Sequence, residues 1–192
     1  TPARPLACVV MAGGKGTRMR SALPKVLHPI WGRPLLGWVL AAVREADADR
    51  IVVVVPPTEA DAVAAVVGDA AIVVQPDQLG TGDAVRCAVP ALEGFAGDVL
   101  IVSGDTPLLT AELLNDLLAA HAESGAAGTA ATFRVAEPGG YGRVLRSDAG
   151  IRIVEAKDAT AAELEVTEVN AGLYVFDADA LRPALAGLTN DN

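Results

Sequence analysis

Glycines 13, 14 and 16, with Lys15, Thr17 and Arg18, follow directly on a short apolar run, Leu6-Ala7-Cys8-Val9-Val10-Met11. Glycine lets the backbone approach a ligand closely, and a row of free N–H groups can hold an anion, so a phosphate loop is the first chemistry suggested. Two familiar phosphate loops are excluded. A Walker A loop needs Ser or Thr after Gly-Lys, but Gly16 follows Lys15 and Val9 occupies its upstream glycine position. A dinucleotide fingerprint needs glycine where Met19 stands. A plain structural turn remains the alternative.

Three further groups carry candidate chemistry. Asp105 ends the apolar run Val99-Leu100-Ile101-Val102 and is the carboxylate best placed for Mg²⁺, a hard cation that prefers oxygen ligands and keeps several waters. A turn-capping role between Gly104 and Pro107 is the other reading. Gln75 and Gln78 precede Gly80-Thr81-Gly82, and their amides offer both donors and acceptors, which suits the polar edge of a pyrimidine, uracil and cytosine alike. Cys8 and Cys87 lack CxxC or His-rich company, so neither a zinc site nor a disulfide framework is indicated, and a reducing cytoplasm fits. His28 and His121 have no nucleophile motif beside them and read as surface or structural residues.

Charge supports an anion site. The 192 residues carry a formal net charge of −9, which argues against a nucleic-acid or membrane-surface partner. Yet residues 1–44 contain no acid and seven cations, a local charge of +7, while the remainder sums to −16. Arg outnumbers Lys 12 to three, the three being Lys15, Lys25 and Lys157. A compact ammonium kept where Arg is otherwise the default fits specific tasks, with solvated surface the alternative for Lys157.

The elements that must position these groups alternate. Residues 6–11, 51–55, 71–74 and 99–102 read as strands; residues 35–46, 59–67, 83–92 and 111–123 show helical spacing, as with Leu36, Val39, Leu40 and Val43. That alternation predicts an α/β fold with a doubly wound, mostly parallel sheet whose ligands bind beyond the carboxyl ends of the strands. From Gly125 the pattern changes. Residues 129–135, 143–146 and 151–154 read as strands, the last two a β-hairpin about a turn at 147–150, followed by a strand at 172–176 and a helix at 178–185. A single domain is expected, with a nucleotide-binding part over about residues 1–124 and a second part over about 125–192. The run 6–11 is too short for a signal or membrane span.

The ordered set Gly14-Lys15-Gly16-Thr17-Arg18-Met19, Pro24-Lys25-Val26-Leu27-His28, Gln75, Gln78-Leu79-Gly80-Thr81-Gly82, Ser103-Gly104-Asp105-Thr106-Pro107-Leu108, Gly140-Tyr141-Gly142-Arg143, Glu155-Ala156-Lys157-Asp158-Ala159-Thr160 and Val169-Asn170-Ala171-Gly172 resembles the sugar nucleotidyltransferases. In particular it is similar to the uridylyltransferase half of the bacterial bifunctional enzymes of UDP-N-acetylglucosamine synthesis. The resemblance implies a Rossmann-like nucleotidyltransferase fold. It also implies in-line attack of N-acetylglucosamine 1-phosphate on the α-phosphorus of UTP, with Mg²⁺ and without a covalent enzyme intermediate, so that catalysis is positioning and charge stabilisation. Arg18 and Lys25 would be the catalytic cations. Met11, Ala12, Gly13, Gly14, Gln75, Gln78, Gly80, Thr81 and Ser103 would line the nucleotide side, and Asp105 would hold the metal. Gly142, Glu155 and Asn170 would bind the sugar, with Tyr141 beside them; Glu155 alone would read as a solvated charge. One departure stands out: Asp83 occupies a place where the family commonly has His, adding a negative charge near the nucleotide.

The family pattern continues beyond Asn192, so the chain is expected to be a truncated piece. The resemblance implies that the continuation supplies a second metal-binding Asn, and that a left-handed β-helix domain acetylates glucosamine 1-phosphate and builds a homotrimer. It places the protein in the cytoplasm, in peptidoglycan and cell-wall synthesis, with UTP and the sugar phosphate as partners. The alternatives are another sugar-1-phosphate nucleotidyltransferase, such as a thymidylyl, guanylyl or cytidylyl enzyme, and a non-catalytic nucleotide-sugar-binding module.

Overall fold

Leu6-Ala7-Cys8-Val9-Val10-Met11 forms β1 (Leu6–Met11), buried along its length except at Met11. A strand that is apolar on both faces needs neighbours on both edges and helices above and below, and this chain supplies them. A computed structural model describes residues 4–14, 19, 21–148 and 150–188. In it β1 pairs in parallel with β4 (Arg50–Val55) on one edge and β6 (Asp98–Ser103) on the other, while β5 (Ala71–Val74) extends the sheet beyond β4. The order β5-β4-β1-β6 turns back on itself at β1, so a crevice opens at the carboxyl ends of β1 and β6. Met11 and Ser103 stand side by side there.

Helices cover this sheet. Helix α1 (Leu35–Glu45) buries Leu35, Leu36, Val39, Leu40 and Val43, and each such side chain contributes about 1.5–3 kcal/mol relative to exposure. Helix α2 (Ala60–Val67) buries Val63 and Val67. Helix α3 (Thr81–Ala88) ends earlier than the spacing predicts: residues 89–92 tighten into a 3₁₀ turn, because Pro90 has no N–H to continue the ladder. Helix α4 (Ala111–Ser124) is capped by the Thr110 hydroxyl, which accepts from the Leu113 N–H at 3.2 Å, and stops at Gly125 in the left-handed conformation. The Asp177 carboxylate caps α6 (Ala178–Ala186).

The chain divides into two compact units, one of residues 1–129 with 175–192 and one of residues 130–174. The boundary expected near residue 124 therefore falls a few residues later, and the C-terminal helix returns to the first unit. Both crossings lie inside strands, β7 (Gly128–Arg134) and β10 (Glu168–Asp177). In the second unit β8 (Arg143–Ser147) and β9 (Gly150–Val154) form the expected antiparallel hairpin, with Arg143 opposite Val154. Ala149, in the turn anticipated there, lies outside the described residues. Three features were not anticipated. Strand β10 begins four residues early, since Val169 continues its buried face beyond Gly172. A small ladder joins β2 (Pro29–Ile30) to β3 (Arg33–Pro34). A short helix, α5 (Ala161–Leu164), starts in a capping box in which Thr160 and Glu163 satisfy each other's backbone N–H groups.

Candidate functional site

The carboxyl ends of the parallel strands converge on one region of the first unit. Past β1, the Ala12 N–H donates to Val54 O at 2.8 Å, and the Gly104 N–H donates to Met11 O at 2.8 Å. Neighbouring chains thus stay stitched one residue beyond the strands. A β-carbon on Gly104 would stand 3.3 Å from both Met11 O and Leu36 Cδ1, so the junction is closely packed around this glycine. Ala12 itself is buried.

Met11, Gly13, Gly14, Gln75, Gln78, Gly80 and Thr81 line one recess of roughly 180 Å³, together with Ala84. Seven residues assigned to the nucleotide side from sequence are therefore brought together, from β1, the end of β5 and the start of α3. Gln75 is the buried member, 4% exposed. Its backbone N–H continues the β4–β5 ladder onto Val55 O at 2.8 Å, and its side-chain Nε2 donates to Gly80 O at 3.2 Å and Asp83 Oδ2 at 2.8 Å. Asp83 is also paired with Arg86, so the negative charge expected to disturb the site is neutralised one helical turn away.

Lys25 opens a 3₁₀ turn, Lys25–Leu27, anchored by buried Val26 and Leu27. Its ammonium forms an ion pair with Asp105 Oδ2 across 80 residues of sequence. Ser103 Oγ donates to Asp105 Oδ1 at 2.6 Å, and the Thr106 hydroxyl in turn holds the Ser103 carbonyl at 2.7 Å. Burial alone would raise the Asp105 carboxyl above its ordinary value. The bonds from Lys25 and Ser103 outweigh it, and the net displacement is downward, so the group is a carboxylate at neutral pH. A second depression of roughly 340 Å³, which Gly14 shares with the recess, is lined by Met19, Lys25, Thr58 and Glu59 among others. Burial pushes the Glu59 carboxyl up. Lys15, Gly16, Thr17 and Arg18 lie outside the described residues.

In the second unit Gly142, Glu155 and Asn170 also come together. The Asn170 N–H donates to Gly142 O at 2.9 Å, and a β-carbon on Gly142 would lie 3.4 Å from Glu155 Oε1. Asn170 Nδ2 donates to the Tyr174 hydroxyl at 2.6 Å, and its Oδ1 accepts from the Gly172 N–H at 3.1 Å. Burial, and to a smaller extent the Glu155 charge, raise the Tyr174 phenol against the opposing Asn170 bond. Tyr141 is half exposed and stacks edge-on against Phe133 with ring centroids 5.2 Å apart. Beneath it the buried Arg143 guanidinium donates to the carbonyls of Tyr141, Gly139 and Leu164, which fixes the Gly139–Tyr141 turn from below.

The MobA-like NTP transferase domain family matches residues 8–190. The chain belongs to that family. Among named relatives it is 52% identical over 97% of its length to "Bifunctional protein GlmU" of Pelobacter propionicus, covering 42% of that protein. It is 50% identical over its whole length to the protein of the same name from Kineococcus radiotolerans, covering 40% of it. The same name is borne by a Trichlorobacter lovleyi protein, 50% identical over 97% of the chain and 41% of that protein. The chain thus spans about two fifths of the length of these relatives.

The family match supports a nucleotidyltransferase, and the α/β architecture with its parallel sheet agrees with it. For an NTP transferase domain, Asp105 suits Mg²⁺ in one specific way. Among the described residues no three His, Cys, Asp or Glu side chains are grouped to hold a metal. A single carboxylate beside a hydroxyl fits an ion that takes one or two protein oxygens and completes its shell with phosphate and water. Two contributors went unseen in the sequence. Tyr174 sits in the apolar stretch Leu173–Phe176 of β10, and only alternation with buried Leu173 and Val175 hints that it faces elsewhere. Arg86 lies one turn after Asp83, and that spacing is the signal for their pairing. No described helix is long and apolar enough to cross a membrane.

Proposed function

We propose that this NTP transferase domain is a uridylyltransferase that converts UTP and N-acetyl-α-D-glucosamine 1-phosphate to UDP-N-acetylglucosamine and diphosphate, with Mg²⁺. The observation that carries the reading is the recess at the carboxyl end of the sheet. Seven residues assigned to the nucleotide side from sequence meet there around a buried amide, and Gly14 and the Met11–Ser103 junction connect it to Lys25 and Asp105. The relatives' printed name agrees with the resemblance of the motifs.

In this reading the recess holds the base and the glycine turn leads to the phosphates. A phosphate oxygen of the sugar phosphate attacks the α-phosphorus; that P–O bond forms as the bond to the β-phosphate oxygen breaks, and diphosphate departs with the electron pair. Lys25 neutralises phosphate at the reacting centre. Arg18 takes the β,γ side. Asp105 holds Mg²⁺, which when bound supplies charge neutralisation to the phosphate oxygens. Gly142, Glu155 and Asn170 receive the N-acetyl and hydroxyl groups, and Tyr174 fixes the Asn170 amide. Buried polar partners of this kind discriminate strongly, because an analogue that lacks the group leaves them unpaired. The name "bifunctional" supports a second activity in the remainder of such proteins; acetylation of glucosamine 1-phosphate, a homotrimer and a cytoplasmic place in cell-wall synthesis complete the proposal.

Calorimetric titration with UDP-N-acetylglucosamine, UDP-glucose and dTDP-glucose, each with and without Mg²⁺, tests it. Preference for the first by at least about tenfold is expected. Equal binding of UDP-glucose removes the N-acetyl assignment, and a preference for dTDP-glucose moves the chain to another sugar-1-phosphate nucleotidyltransferase.

A further inference from the structure

The Gln75 amide can meet a base through either of two chemically opposite ends, its carbonyl or its NH₂. We propose that Asp83 settles this: it holds the Gln75 NH₂ away from the ligand, leaving the carbonyl as the group offered to the base, and so selects a ring N–H over a ring lone pair. The proposal deepens the uridylyltransferase reading and rests on it.

A primary amide has one acceptor oxygen and a two-donor nitrogen. The nitrogen of Gln75 is directed at two groups that can only accept, Gly80 O at 3.2 Å and Asp83 Oδ2 at 2.8 Å. Turning the amide over would set its oxygen against a carbonyl and a carboxylate while leaving a buried NH₂ without those acceptors, so hydrogen-bond chemistry fixes the orientation. Asp83 is itself held before any ligand arrives. Its side chain is 11% exposed, and its other oxygen is paired with Arg86 on the same helix. Two acceptors and one tether thus constrain a single side chain.

The remaining atom is Oε1. It faces Gly13, 3.8 Å from where a β-carbon on that residue would stand, and among the described residues no donor is bonded to it. Gly13 and Gln75 both line the recess, so the acceptor is presented there. Uracil offers an N–H at N3 between two carbonyls and satisfies it. Cytosine offers a lone pair at N3, which would oppose Oε1, and its amino group reaches that oxygen only if the ring slides from the position uracil takes. Asp83 does not touch the base in this account. It is a positioning residue for selectivity, acting through Gln75.

Titration of the chain with UTP and with CTP, in Mg²⁺, tests the lock through the ratio of the two dissociation constants. The unaltered chain should favour UTP by at least about tenfold. Asp83→Ala removes one of the two acceptors and lets the amide reorient, and the ratio should fall about tenfold. Asp83→Asn keeps an oxygen for Nε2, with Arg86 free to turn to solvent, and should retain most of the preference. A general loss of packing would weaken both nucleotides together and leave the ratio in place. An Asp83→Ala chain that melts near the original temperature with the original UTP:CTP ratio overturns the lock while leaving the uridylyltransferase reading intact. A chain that binds neither nucleotide overturns that reading, and the lock with it. Should Asp83→Ala fail to fold, the Gln75 side-chain NH₂ signals of the unaltered chain decide: slow hydrogen exchange is expected, and exchange at the rate of a free amide overturns the proposal.

Discussion

Replacing Asp105 by Asn separates the fold from the chemistry, because the two draw on different properties of the carboxylate. In the chain as it stands, Oδ1 accepts from Ser103 at 2.6 Å and Oδ2 is paired with Lys25. The Asp105 and Lys25 side chains are 25% and 42% exposed. An ion pair that open to water contributes about 0.2–1 kcal/mol after screening, and the amide escapes part of the desolvation cost that burial imposes on the carboxylate. Asn also keeps an acceptor for the Ser103 hydroxyl. The net stability change should therefore stay within about 1 kcal/mol, a shift of about 2–4 °C in the unfolding midpoint for a chain of this size.

Charge is what the substitution removes. Lys25 loses its counter-ion, and on the proposed reading the Mg²⁺ position loses its anionic protein ligand. Loss of one group that meets developing charge typically lowers turnover by about 10²–10³-fold. The assay is diphosphate release from UTP and N-acetylglucosamine 1-phosphate across a Mg²⁺ titration, with nucleotide affinity followed by calorimetry. The expected result has three parts: turnover down by at least about 100-fold, UTP affinity no longer dependent on Mg²⁺, and uridine affinity within about threefold. Turnover within about threefold of the unaltered chain at saturating Mg²⁺ would refute the role given to Asp105. A fall of about 10 °C or more in the midpoint would refute the stability reasoning.

Gly97→Ala should be far more damaging to the fold, since its β-carbon would lie 2.2 Å from Pro5 O, the carbonyl that accepts from the Asp98 N–H at 2.9 Å; a loss of about 3 kcal/mol is expected from chemical denaturation. In the second unit the Arg146 guanidinium, aided by the Thr132 hydroxyl at 2.9 Å and by Arg134, holds the Glu168 carboxyl down at about 2. A depressed carboxyl contributes stability that is complete above its ordinary value and lost as pH falls through the folded one. The midpoint of second-unit unfolding should accordingly decline between about pH 4.5 and 2, and Glu168→Gln should flatten that part of the profile, as followed by Tyr fluorescence.

How much the sequence disclosed depended on whether the signal was periodic or long-range. The strands 6–11 and 71–74 match their apolar runs, and Arg50–Val55 and Asp98–Ser103 exceed theirs only by flanking polar residues. Buried parallel strands announce themselves as unbroken apolar runs. Glu168-Val169-Asn170 did not, because a single buried residue between two polar ones is a weak alternation. Helix α3 was overextended because apolar spacing persists through Pro90, while the hydrogen-bond ladder does not. Pairings were the least legible. Nothing in residues 20–30 indicates that Lys25 meets Asp105; that contact exists because β1 and β6 are neighbours. Gln75 and Asp83 are eight residues apart, yet the strand-to-helix turn folds them face to face. The phosphate-loop roles of Lys15 and Arg18 rest on the resemblance.

A common feature connects these pairings. Lys25 is bonded to Asp105, Gln75 to Asp83 and Asn170 to Tyr174, so the groups proposed to meet substrate already have partners. In a partly buried crevice this matters, because an unpaired charge or amide would incur the full desolvation penalty and drift toward whatever satisfies it. The three pairings differ in what substrate asks of them. Gln75 keeps its carbonyl oxygen, and Asn170, bonded at both Nδ2 and Oδ1, keeps a second N–H and a second lone pair, so binding can proceed with their existing bonds intact and their orientation fixed. Lys25 and Asp105 offer the same charges to each other that they would offer to phosphate and Mg²⁺, so on the proposed reading their bond competes with those contacts. On the proposed reading the exchange is balanced in kind: the ammonium gains a phosphate, the carboxylate gains a dication, and neither passes through an unpaired state if nucleotide and metal arrive together. Mg²⁺ and UTP should then bind with positive cooperativity, and because Asp105→Asn has no carboxylate to share, that cooperativity should vanish in it while the fold persists.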